Sequence, residues 1–386
     1  MKRLTLILTI LVAAASCALS AADATKRQGW DYKYKTPLYG NVESLTITEY
    51  SLKDSLGVLS RSKIEVKNCF NFNESGDVTE RAKYNSDGSL NDKFIYKYDT
   101  QGNKTEYAWY KSDGSYIHKY IYKYDKKGNM TEIASYNLFG LLSRERIYEY
   151  DKKGNKIKEV WYNSDGSFVK RIYKYDKKGN ETEYAEYNSD GSLRSKSIYK
   201  YDTKGNKTEK AEYDSDGSLR SKSIYKYDTK GNKTEKAEYN SNGSLRNKRI
   251  HKYDTKGNKT EMAEYNSNGS LDNKCIYKYD TKGNVTESAK YTSAGSLDNK
   301  CIYKYDTNGN KIEKAYYTSD GSLSKYIYKY DTKGNKIEEA WYDSEDLLSR
   351  KYTYKYDSIG NITEITEYDG ELRPISQIVY TIIYRK

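Results

Sequence analysis

Along most of the chain, apolar and polar residues alternate with a period of two, in short runs separated by turn-forming residues. The stretch from Ile198 to Ser223, "IYKYDTKGNKTEKAEYDSDGSLRSKS", shows the pattern, and Ile224 starts it again with small changes. Tyr-x-Tyr and Glu-x-Ala-x-Tyr both alternate, which predicts strands. Between them lies Asp-x-x-Gly-Asn; Asp at the first turn position and Gly at the fourth suit a type I turn followed by a left-handed glycine. The second turn, Asn/Asp-Ser-Asp/Asn-Gly-Ser, has the same chemistry. One β-hairpin per repeat is therefore expected.

The aspartate of the Tyr-Asp pair recurs at Asp99, Asp125, Asp151, Asp176, Asp202, Asp228, Asp254, Asp280, Asp306, Asp331 and Asp357. The step is 26 residues except on reaching Asp176 and Asp331, where it is 25. A degenerate earlier copy places Phe70, Phe72 and Asn73 at the equivalent positions. Regular repetition implies one extended object with nearest-neighbour contacts, not several globular domains. The expected fold is all-β: an antiparallel hairpin meander forming an elongated, twisted or spiral sheet. Residues 61–368 form the array, with a signal peptide at 1–22, an N-terminal end piece at 23–60 and a C-terminal closing strand at 369–386.

A three-residue turn predicts that Tyr227 faces Lys233 and Tyr225 faces Glu235. One face would then carry Leu219, Tyr225, Tyr227, Ala237 and Tyr239; the other would carry Ile224, Lys226, Thr234, Lys236 and Glu238. The missing residue of each 25-residue step falls between the second turn and the isoleucine, so a register adjustment is expected there. Pro37 and Pro374 lie outside the array, where no ladder hydrogen bond is lost.

Composition explains how so polar a chain can fold. Hydrophobic residues make up only 36%, but 46 tyrosines supply large rings whose hydroxyls can stay hydrated or bonded. At the N-terminus, Lys2 and Arg3 precede an apolar run from Leu4 to Ala15 and then small residues, the pattern of a signal peptide cleaved before Asp23. The alternative is lipid attachment at Cys17, whose Ala-Ala-Ser context departs from a lipoprotein box. Removing residues 1–22 leaves a formal charge of +10 from +12, and lysine and glutamate alternate with no basic block. The expectation is an exported protein, secreted or at a bacterial cell surface, with no transmembrane segment and no nucleic-acid partner.

Tyr-Asp-x-x-Gly-Asn recurring every twenty-odd residues resembles the YD repeats of rearrangement-hot-spot (Rhs) proteins, toxin-complex shells and teneurins. The resemblance implies hairpins wound as a spiral sheet in a cell-surface or secreted setting. Large members enclose a C-terminal toxin. This array is far shorter and reads as a short form without a toxin domain. A looser likeness to aromatic-rich hairpin repeats that bind cell-wall glycans implies carbohydrate binding.

Candidate chemistry is sparse. His118 and His251 are the two histidines, and no Ser-His-Asp or Cys-His set can be assembled, so the chain reads as non-enzymatic, with no catalytic residue and no cofactor. The "DSDGS" at Asp214 carries only part of a calcium loop, so no metal site is expected. The Asn-x-Thr sequons, such as Asn232 and Asn361, arise from the turn asparagine preceding a strand threonine. Cys275 and Cys301 occupy the same position in consecutive copies; a meander places them two strands apart, too far for a disulfide. Ten residues after the repeat aspartate the usual residue is Glu, but Trp109, Trp161, Tyr316 and Trp341 stand there. With Tyr107 beside Trp109, these are the candidate ligand-binding residues, expected to project from the charged face. The expected function is an extended binding surface for polysaccharide or cell-envelope glycan. Alternatives are a structural or adhesive protein working through surface-protein contacts, and a remnant or partner of a toxin system.

Overall fold

The computed structural model describes residues 38–55 and 58–386. Residues 1–22, expected to be a signal peptide, with Cys17, and also Pro37, lie outside them. The described residues form 26 β-strands and no helix. Each strand pairs antiparallel with the next in sequence, as expected of a hairpin meander. The sheet does not stay open. β1 (Val42–Ser55) pairs with β2 (Val58–Phe72) on one side and with β26 (Pro374–Tyr384) on the other, which closes the meander into a barrel. The elongated, twisted or spiral sheet expected from the repeat is thus corrected to one that closes into a barrel. Closure pairs both edges of the sheet, which an open sheet would leave as templates for aggregation.

The repeat turns have the predicted chemistry. In the turn after β14 (Leu219–Tyr227), the Asp228 amide donates to Asn232 O (3.0 Å) and the Gly231 amide to Asp228 O (3.1 Å). Gly231 has φ +87, a left-handed conformation that costs an L side chain about 1–2 kcal/mol. Tyr227 faces Lys233 of β15 (Lys233–Asn240), as the turn requires.

One step further on, the register departs from expectation. Lys226 faces Glu235, so Thr234 is an extra, bulged residue, and Tyr225 faces Lys236 instead of Glu235. A one-residue shift exchanges faces. Tyr225 and Tyr227 therefore share a side with Lys236 and Glu238, while Ile224 and Lys226 share the other with Glu235, Ala237 and Tyr239. A second bulge follows the other turn: Tyr239 faces Leu245 and Glu238 faces Asn247, leaving Arg246 extra at the start of β16 (Leu245–Tyr253).

The two 25-residue repeats show what the missing residue was. β9 (Lys156–Asn163) with β10 (Phe168–Tyr175), and β21 (Lys311–Thr318) with β22 (Leu323–Tyr330), pair without a shift after the second turn. These copies lack the bulge and keep every other residue on its face.

The core sits where the barrel closes. Val42, Leu45, Ile47, Phe70, Phe72, Val78, Ile365, Ile378 and Tyr380 form one buried cluster, with Tyr96, Tyr352 and Tyr354 packed against it. It lies on the face that carries Tyr225 in the ordinary repeat. A single sheet can bury side chains this large only where it curves over them, so the tyrosine face is the inner wall. Polar contacts latch the seam. Arg385 donates to the carbonyls of Val42 (3.0 Å), Asn73 (2.8 Å) and Phe72. Asn361, 1% exposed, donates to Tyr39 O (3.0 Å) and accepts from the Tyr39 amide (2.6 Å). This buried Asn361 is the sequon asparagine of the last repeat.

Cys69, Cys275 and Cys301 are free thiols. Cys275 of β18 (Leu271–Tyr279) and Cys301 of β20 (Leu297–Tyr305) flank β19 (Val285–Thr292), facing Lys290 and Ser288 respectively.

Candidate ligand-binding surface

The two faces of the wall differ in chemistry because the two tyrosines of Tyr-x-Tyr-Asp point one way and the intervening lysine the other. Outside, glutamates bridge lysines of the two flanking strands: Glu235 contacts Lys226 (3.0 Å) and Lys248 (3.2 Å), and Glu209 contacts Lys200 (3.1 Å) and Lys222 (3.0 Å). Lys226 keeps 62% of its side chain exposed, so this ladder is mostly a solvated surface. The small Ala237 between larger neighbours is buried at 1%.

Inside, the second tyrosine of each repeat has a fixed task. The β13 (Lys207–Tyr213) to β14 ladder runs only as far as Glu209 and Ile224, leaving the Lys207 carbonyl without a strand partner. The Tyr227 hydroxyl donates to it at 2.8 Å. The same bond recurs in eleven copies, from Tyr98 to Tyr356, at 2.7–3.0 Å. The first tyrosine of the pair has no such bond in the ordinary repeat and carries a lysine over its ring: Lys233 lies 5.0 Å from Tyr225, and Lys207 lies 4.0 Å from Tyr199.

All five candidate residues lie on this inner wall, because the bulge turns their strand over. They do not form one cluster. Tyr107 and Trp109 sit on β5 (Lys104–Lys111) in a continuous aromatic row. Trp109 stacks on Phe94 (5.7 Å), Phe94 on Tyr107 (6.2 Å), and Tyr107 meets Tyr96 (5.3 Å) and Tyr120 (5.8 Å). The Trp109 indole donates to Asp92 Oδ1 at 2.8 Å. Burial in the row pushes the Tyr107 hydroxyl up to about 12.

Trp341, 40% exposed, stacks parallel on Tyr326 at 6.0 Å, and Tyr326 stacks on Tyr328 at 6.5 Å, a second platform. Tyr316 is opposite Ser324 and Cys301. Trp161 is different: Arg146 and Arg171, from the strands on either side, each lie 3.9 Å from its ring, and its indole donates to Glu159. Its faces are already occupied.

One feature escaped the sequence. At the seam the inner wall holds a cleft of about 600 Å³ lined by Glu49, Glu339, Tyr352, Tyr354, Ile365 and Ile378. Glu49 comes from β1 and the others from the last strands, so only barrel closure brings them together; no local pattern marks it.

The comparisons with known proteins bear on the repeat alone. A family model described as a protein of unknown function (DUF2963) matches residues 145–186 and 296–341. No curated protein matches the chain. Among solved structures, the TcdB2-TccC3-TEV crystal structure is 13% identical with a TM-score of 0.21, over 95% of this chain and 28% of that one. TcdB2-TccC3 without its hypervariable C-terminal region is 11% identical, also at 0.21, over 84% of this chain and 23% of that one. A porin-like protein from Bacteroides uniformis is 11% identical with a TM-score of 0.19, over 89% of this chain and 98% of that one. No helix among the described residues is long and apolar enough to cross a membrane. The chain is a repetitive antiparallel β-structure, loosely similar to these.

Proposed function

We propose that this is an exported, non-enzymatic repeat protein of YD type whose inner wall binds a glycan or cell-envelope polymer. The observation that carries the reading is the row Trp109–Phe94–Tyr107–Tyr120, with the Trp341–Tyr326–Tyr328 platform further round the wall. Half-buried rings flanked by lysine and glutamate suit sugars, whose C–H faces stack on aromatics while their hydroxyls accept hydrogen bonds from lysine and donate them to glutamate. Two platforms on one rigid wall make the second contact intramolecular once the first has formed.

The test is pull-down of the purified chain on insoluble polysaccharides, with Trp109→Ala and Trp341→Ala alone and together. Each single change should weaken retention a few-fold and the double change by well over tenfold, since losing both platforms removes the avidity. Retention unaffected by either indole would remove the stacking mechanism.

A second reading, adhesion through protein contacts, is favoured by one turn. Where other copies have Asn-Ser-Asp-Gly-Ser, the segment from Asn137 has Leu138, Phe139 and Leu141, exposed by 55%, 77% and 63%. Failure to bind any polysaccharide would shift the weight to this tip.

A further inference from the structure

Resting on that glycan reading, we infer that the inner wall holds a dedicated site for an acidic sugar, one bearing sulfate or carboxylate, between β6 (Tyr116–Tyr124), β7 (Met130–Tyr136) and β8 (Leu142–Tyr150). A pocket of about 420 Å³ there is lined by His118, Tyr120, Tyr122, Ser135, Arg144 and Arg146.

Comparison with the other repeats shows why it is unusual. The tenth residue after the repeat aspartate is glutamate in five of the eleven copies, an inner-wall carboxylate that binds what faces it. Glu212 accepts from Ser221 (2.7 Å), Glu238 from Asn247 (2.9 Å) and Glu264 from Asn273 (2.8 Å). In β7 this residue is Ser135, and the residue opposite it is Arg144. The same loss recurs one repeat later: Arg171 and Arg249 pair with Glu186 and Glu264 across their hairpins, but Arg146 faces Trp161. Among the described residues neither Arg144 nor Arg146 forms an ion pair. Two guanidiniums stand in a pocket from which the repeat's own carboxylate has been removed.

Guanidinium is planar and always charged, and it grips two oxygens of a sulfate or carboxylate at once. Stacking on Trp161 at 3.9 Å holds Arg146 in place. Tyr120 and Tyr122, stacked 6.4 Å apart and continuous with the Tyr107 row, offer the adjoining ring surface for the sugar itself. The site therefore extends the aromatic platform with an anion hold.

The decisive variant is Ser135→Glu. It restores the residue that the 9%-exposed Glu186 shows to fit this position, and it supplies the arginines with an internal carboxylate. Calorimetry would compare a sulfated disaccharide, its desulfated parent and inorganic sulfate on the full chain, alongside Arg144→Gln/Arg146→Gln. The expected result is at least tenfold tighter binding of the sulfated sugar than of its parent or of sulfate alone, with the preference erased in both variants. Equal binding of the two disaccharides, inorganic sulfate binding as tightly as the sulfated sugar, or a preference that survives Ser135→Glu, would overturn the acidic site and leave the glycan reading standing. No binding of either disaccharide would overturn the acidic site, while the glycan reading would still stand or fall on retention by polysaccharide.

Discussion

At the scale of single residues, the Tyr-Asp pair divides two backbone tasks at the same rim. The aspartate holds the turn: Asp228 accepts from the amides of Lys230 (2.9 Å) and Asn232 (2.9 Å) and from the Asn232 side chain (2.9 Å). The tyrosine caps a carbonyl that the neighbouring ladder leaves free, worth about 1 kcal/mol per bond. Turn lysines then tie most turns to the next, as Lys204 does at Thr229 O (2.8 Å). These bonds favour the ionised carboxylates: the Asn232 side chain first, then backbone amides, hold Asp228 below its ordinary value, and Asp202, Asp254 and Asp280 behave alike. A depressed folded-state value means stability that is complete above the unfolded value of 3.8 and lost as pH falls through the folded one. The melting temperature should stay nearly level from neutral pH down to about 5 and then drop steeply below about 4. A level curve down to about pH 2 would show that the turns do not depend on these carboxylates.

At the scale of the element, the hairpin period and both turns were legible because Asp, Asn and Gly have turn chemistry visible in any one copy. The bulges were not. Thr234 and Arg246 are ordinary strand residues, and nothing in their side chains says that they are unpaired. Missing the Thr234-type bulge placed Trp109, Trp161, Tyr316 and Trp341 on the wrong face. The 25-residue copies, whose absent residue is the second bulge, gave a clue to that bulge alone and none to the Thr234-type bulge that sets this face. Deleting Arg246 should therefore reproduce the natural register of β9–β10, with all other side chains on their present faces. Its melting temperature should move by less than about 3 °C, the equivalent of about 1 kcal/mol in a domain of this order. A drop of about 10 °C or more would mean that the bulge itself supports the wall.

At the scale of the whole molecule, closure decides which surface is enclosed, and closure was the least legible feature. It depends on β1 meeting β26 across more than three hundred intervening residues, which no repeat pattern encodes. In hindsight the aliphatic residues collected at the two ends, Leu45 and Ile47 against Ile378 and Ile382, are the seam's own core, in a chain that otherwise uses tyrosine. The enclosure of the aromatic wall depends on that seam. It can be tested by cross-linking. Ser51 and Ser376 face each other across β1 and β26, and paired antiparallel residues have Cα atoms about 4.5–5.5 Å apart, within disulfide range. In a chain whose four natural cysteines are replaced by serine, Ser51→Cys with Ser376→Cys should oxidise within one molecule, and mass spectrometry should find the 51–376 cross-linked peptide in the monomer. Free thiols, or disulfides only between molecules, would show an open sheet and contradict the barrel.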